Sequence, residues 1–130
     1  MSDRFETGKA TRCAVLGASY VAGAEAATTE FDAPFQRLVT ESAWGRVWSD
    51  ETISRRERSM LTLALLAASG NFAEIPMHIR ATKNTGASSA DIMQAFLHVA
   101  IYAGVPKANH AIRVAKETYA QMAAEGPETP

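Results

Sequence analysis

Cysteine is almost missing from this chain. Cys13 is alone among 130 residues, which excludes an internal disulfide framework and any CxxC metal or redox pair. A strong charge of one sign is also missing. The formal net charge is −1, so no electrostatic footprint for nucleic acid or an anionic membrane is present. No apolar run is long enough to span a bilayer; Met60–Ala68, the longest near-apolar stretch, is far too short. The N-terminal MSDRFETGK is polar and charged, unlike a secretory leader. A cytoplasmic protein with no membrane and no nucleic-acid partner is therefore expected. Strand-type alternation is absent as well, as are a Walker A loop, a Rossmann glycine pattern, a GxSxG elbow and HExxH. A metal site is not expected, because His98 and His110 would join His78 only through a coincidence of the fold.

What is present is helical periodicity punctuated by glycine and proline. With 47% hydrophobic and 21% charged residues, one soluble domain over 1–130 is expected, with its core in about 12–125. The pattern predicts an all-α fold of about six helices. Asp3–Leu16 reads as a helix, and Gly17–Ala27 is ambiguous. Asp32 caps a helix of about three turns that opens on Pro34. Ala43–Thr52 reads as a tryptophan-rich turn. Ser54 and Glu57 have capping-box spacing at the head of Arg55–Ser69, and its apolar centre, Met60–Ala68, is expected to be buried on all sides. Asn71 and Glu74 repeat the capping-box spacing, and Gly86 suits a C-terminal cap. Pro76 conflicts with a helix starting at Asn71, so the helix begins later or is distorted near Glu74. Ser88 or Ser89 caps the next helix, Ala90–Ala103. Pro106 opens the last helix, whose stripe runs Ala108, Ala111, Ile112, Ala115, Tyr119 and Met122. GPETP is expected to be a frayed tail. The alanine-rich stripes predict close helix packing and self-association.

Few residues are candidates for chemistry. Arg55, Arg56 and Arg58 crowd a helix N-terminus, which favours acidic residues. They either extend to solvent and pair with carboxylates, or form an anion site. Glu74 and His78 are four apart, so on a helix they share a face. They are a cap and a surface histidine, or an acid–base pair. His98 and Tyr102 are one turn apart and either pack structurally or line a polar pocket floor. Trp44 and Trp48 are packing residues, or a dry wall beside the arginines. His110 lies beside the last helix's apolar stripe.

Taken together, these segments resemble the γ-carboxymuconolactone (4-carboxymuconolactone) decarboxylase family of the alkylhydroperoxidase D-like superfamily. The resemblance runs from about Arg12 to Ala111. It rests on RCAVLGASYV, FQRLVTESAWGRVWS, SRRERSMLTLALLAASG, EIPMH, HIRATKNTG and FLHVAIYAGVPKANHA. It implies an all-α domain assembled as a homo-oligomer, a trimer or hexamer. Arg58, Glu74, His78, His98, Tyr102, Gly104 and Pro106 fall on matching positions. The peroxidase branch of the superfamily has a CxxC pair where this chain has Asn71 and Glu74, so thiol peroxidase activity is not expected. Two segments depart from the family pattern: Pro76 inside EIPMH, and WSDETIS in place of a basic–Pro–Gly turn.

The implied substrate is a small anionic lactone. The implied reaction is decarboxylation of 4-carboxymuconolactone to 3-oxoadipate enol-lactone, a step in protocatechuate breakdown by the β-ketoadipate route. The lactone ring is its own electron sink, so no cofactor is required. On this reading His78, Glu74 and Arg58 are catalytic, and Arg56, Trp44, Trp48, His98 and Tyr102 bind substrate. The alternatives are a decarboxylase or isomerase for another small carboxylated lactone or keto acid, and a non-catalytic oligomeric binding protein.

Overall fold

A computed structural model describes residues 3–126. Those residues form seven α-helices, one π-helical segment and one 3-10 turn, and no strand occurs among them. The all-α expectation holds, with one helix more than the six predicted. The extra one is α2 (Ala18–Ala27), in the stretch whose pattern was ambiguous. Its alanines have the highest helix propensity of any residue, and Gly17, at φ 95°, separates it from α1 (Arg4–Leu16). The tail beyond Gly126 lies outside the described residues. The chain divides into two compact units, Met1–Arg55 and Arg56–Pro130.

The N-terminal unit holds α1, α2, α3 (Ala33–Val39) and the π-helical segment Thr40–Val47. Asp32 precedes α3 but does not cap it with its side chain. Its Oδ1 instead accepts from the Thr29 amide at 2.7 Å and the Thr29 hydroxyl at 3.2 Å, which fixes the preceding turn. The turn expected over Ala43–Thr52 is helical through Val47. Its wider winding is visible where the Trp48 amide donates five residues back, to the Ala43 carbonyl at 2.9 Å. This segment lies directly on α1, and two glycines permit it. A Cβ on Gly8 would collide with the Thr40 carbonyl, and one on Gly45 would sit 2.5 Å from the Arg4 carbonyl. Trp44 and Trp48 are buried and stacked, with ring centroids 5.1 Å apart. The Ser49 hydroxyl donates to the Trp44 carbonyl at 2.6 Å. The Thr11 hydroxyl must therefore be the donor in its 2.7 Å bond to Ser49, since Ser49 has no second proton to give.

The C-terminal unit contains nearly all of α4 (Arg55–Ala68), the 3-10 turn Phe72–Glu74, α5 (Ile75–Thr85), α6 (Ser89–Tyr102) and α7 (Val105–Glu125). Leu63 and Ala67 from α4 join Ile75, Ile79, Phe96 and Ala111 in one apolar cluster. The expectation that Met60–Ala68 is buried all round is not met. Leu61 is 53% exposed and Leu65 68%. These two are one turn apart, on a different face from Leu63 and Ala67, and one helix face is all that enters the cluster. Gly70, at φ 78°, ends α4 in a Schellman motif: Asn71 N–H reaches the Leu66 carbonyl and Gly70 N–H the Ala67 carbonyl.

The Asn71–Glu74 capping box is also corrected. Asn71 makes no side-chain cap; its amide donates to the Ser69 hydroxyl at 3.0 Å. Of the two options for Pro76, the later start is the observed one. Helix α5 begins at Ile75, which places Pro76 in the first turn, where no amide partner is lost. Gly86 takes the left-handed conformation and closes α5. Ser88 caps α6 in a reciprocal box with Asp91, at 3.0 and 2.9 Å.

Candidate active site

The three candidate catalytic residues lie on α4 and at the head of α5. The Ser59 hydroxyl near the head of α4 and the Thr85 hydroxyl at the end of α5 are 2.7 Å apart. That bond ties the head of α4 to the C-terminal end of α5. It places Arg58, half-buried in the first turn of α4, beside the C-terminal end of α5. Glu74 and His78 belong to the other end of α5, and His78 is about 10 Å along the axis from Thr85 at 1.5 Å per residue.

Glu74 is exposed at the junction of the 3-10 turn and α5. The positive end of the α5 dipole favours its carboxylate there. His78 is one turn further on and only 8% exposed. Burial disfavours the charged imidazolium and pushes its pKa down to about 4. His78 is therefore neutral at pH 7, a hydrogen-bonding imidazole rather than a resident cation. The face-sharing spacing of Glu74 and His78 thus joins a solvent-accessible carboxylate to a desolvated, neutral imidazole.

The 3-10 turn beneath Glu74 is braced from α7. His110 stacks on Phe72, with ring centroids 3.8 Å apart and planes inclined by 27°. Lys107 Nζ donates to the Ala68 carbonyl at the end of α4 at 2.9 Å. Neither bracing contact was anticipated from the sequence. Phe72 and His110 are 38 positions apart and carry no shared local signal.

Arg56 is held by Asp91. Its Nε and Nη2 donate to the two carboxylate oxygens at 2.8 and 2.6 Å, a bidentate fork. The hydrogen bonds from Arg56 and Ser88 hold the Asp91 carboxyl well below the usual carboxylate range. Asp91 thus ties the head of α4 to the head of α6. His98 and Tyr102 are exposed on α6, with parallel rings 6.1 Å apart and Tyr102 84% exposed. Trp44 and Trp48 are core residues of the N-terminal unit. Among the described residues, no group of three or more His, Cys, Asp or Glu side chains is arranged to hold a metal ion, and no helix is long and apolar enough to cross a membrane.

Helix α4, the Glu74–His78 turn and α6 all fall within residues 33–117, the span that matches the model of the carboxymuconolactone decarboxylase family. The chain belongs to that family. It is 38% identical over 122 residues to nitrosuccinic acid decarboxylase npaB of Metarhizium robertsii, covering 94% of this chain and 85% of that protein. It is 34% identical over 119 residues to 4-carboxymuconolactone decarboxylase of Acinetobacter baylyi, covering 92% of this chain and 89% of that protein.

Proposed function

We propose that the chain is a cofactor-independent carboxy-lyase for a small dicarboxylate that carries its own electron sink, with 4-carboxymuconolactone as the first candidate substrate. The observation that carries this reading is His78: a buried, neutral imidazole one turn from an accessible carboxylate, on a helix of the family-matched span. In 4-carboxymuconolactone the bond from the γ-carbon to its carboxylate breaks. The electron pair passes through the ring alkene to the lactone carbonyl, and a proton then adds at the α-carbon. Carbon dioxide and 3-oxoadipate enol-lactone result.

The protein has three tasks in such a reaction. It holds the carboxylate that stays, hydrogen-bonds the developing oxyanion and delivers a proton. Arg58, beside the end of α5 about 10 Å along its axis from His78, suits only the carboxylate remote from the oxyanion, the one that stays; a clamp on the departing one would oppose its loss. A neutral His78 suits the oxyanion as a donor. Glu74, open to solvent, suits relay of a proton from water to the carbon. Desolvation of the departing carboxylate favours loss of its charge.

A second substrate reading is favoured by the similarity to the Metarhizium robertsii protein. Nitrosuccinate is also a dicarboxylate with a built-in sink. Loss of the carboxylate on the nitro-bearing carbon moves the electron pair onto the nitro group, giving a nitronate that is then protonated. The remote carboxylate, the anionic oxygen and the proton make the same three demands. A homo-oligomer, trimer or hexamer, is part of the proposal, supported by the exposed Leu97, Ile101 and Val105 near the end of α6.

The test is direct assay of the purified protein on each acid, following ultraviolet absorbance and released carbon dioxide. Turnover of one at a kcat/KM at least about tenfold above the other assigns the substrate. Saturable binding without carbon dioxide release from either would make the chain a binding protein.

A further inference from the structure

The N-terminal unit contains a cavity of about 630 Å³ between α1, α2 and α3, within the size range of small-molecule sites. Its lining mixes the apolar Phe5, Val21 and Pro34 with the cations Lys9, Arg12 and Arg37. Two of the cations have anionic partners. Lys9 lies 3.2 Å from Glu25, and Arg37 lies 3.5 Å from Glu41 while covering the Phe5 ring at 5.2 Å.

Arg12 differs. Among the described residues, its polar contact is one long hydrogen bond from Nη1 to the Gln36 side-chain oxygen at 3.4 Å. Its Nε is buried out of reach of water and has no hydrogen-bond acceptor there, which leaves the Nη groups as the donors for a ligand in the cavity. A guanidinium donates through five N–H groups, and leaving a buried donor unsatisfied is costly. A neutral amide oxygen at that distance supplies little compensation for a full positive charge.

We infer that this cavity is a binding site for a small carboxylate with a flat apolar body, the carboxylate paired with Arg12 and the body lying against Phe5, Val21 and Pro34. The charge balance of the lining supports an anion. Lys9 and Arg37 are engaged by the carboxylates of Glu25 and Glu41, and among the described residues Arg12 makes no such ion pair. The aromatic Phe5 and the ring of Pro34 supply apolar surface for a planar group. This site is built entirely from residues 5–40 and shares no residue with Arg58, Glu74 and His78, so it does not depend on the proposed decarboxylation.

The experiment is isothermal titration of the full chain with benzoate near neutral pH. Saturable binding is expected, weakened at least about tenfold in Arg12→Met, as befits loss of a charge-assisted pair. The neutral isostere benzamide should bind the unmodified protein at least about tenfold more weakly for the same reason. That comparison keeps the test informative even if Arg12→Met does not fold. His78→Ala should bind benzoate as the parent does. No saturable heat, equal binding of benzoate and benzamide, undiminished binding by folded Arg12→Met, or loss of binding in folded His78→Ala would each overturn the assignment.

Discussion

Ser59 and Thr85 share a 2.7 Å hydroxyl–hydroxyl hydrogen bond that ties the head of α4 to the end of α5. Ser59 is fully buried, so the bond is made out of water and orients the turn that carries Arg58. Replacing Ser59 by Ala removes the bond and leaves the Thr85 hydroxyl to find another partner. The expected loss is about 1–2 kcal/mol of unfolding free energy. Urea denaturation would read it, and an unchanged midpoint would show that the bond does not stabilise the fold.

His78 carries the central kinetic prediction. If it donates to the developing oxyanion, His78→Ala should lower kcat by about 10²-fold or more. The fold should survive, because the neighbouring Ile75 and Ile79 keep the apolar face of α5. Near-parental kcat in a folded variant would falsify the role.

A pH dependence of stability follows from the same residue. His78 titrates near 6.5 when unfolded and at about 4 in the fold. Between those values the unfolded chain binds a proton that the folded chain does not, so stability rises with pH across this window. The contribution is full above about pH 6.5 and is lost as the pH falls toward about 4. It amounts to about 3 kcal/mol if the whole shift is realised. Carboxylates also titrate in this range, so the measurement is the difference between the parent and His78→Gln. The variant should show a shallower fall in denaturation midpoint between about pH 7 and about pH 4.5. Parallel curves would show that His78 is not desolvated.

Two glycines in the N-terminal unit should respond in opposite ways. A Cβ on Gly8 meets the Thr40 carbonyl, whereas one on Gly23, within α2, meets nothing within 4 Å. Gly8→Ala must push α1 off the π-helical segment and should cost about 3 kcal/mol. Gly23→Ala should stabilise by about 0.5–1 kcal/mol, as alanine is the better helix former. Thermal midpoints of the two variants check this pair, and a neutral Gly8→Ala would mean that α1 and Thr40–Val47 do not touch.

The sequence by itself determined the features written in neighbouring residues. Helix period, the glycine stops at Gly70 and Gly86 and the Ser88 cap are short-range chemistry. A left-handed residue or a reciprocal side-chain cap is specified within a few positions. The family could be read for a related reason, since its segments are local strings. Where two local signals competed, as at Asn71 and Pro76, the later helix start won, because proline in the first turn forfeits no hydrogen bond.

Tertiary structure alone decided the rest. Three arginines head α4 and look alike in sequence; Asp91, 35 positions away, engages Arg56. Burial of His78, and with it the neutrality of its imidazole, depends on the elements packed over α5 and not on its neighbours in the chain. The π-helical winding of Thr40–Val47 accompanies a backbone approach to Gly8, more than 30 positions earlier. Exposure of Leu61 and Leu65 was equally invisible, because hydrophobicity records what a side chain prefers and not which face of its helix finds a partner. Each of these is a relation between distant residues, and their spacing in the chain carries no information about it.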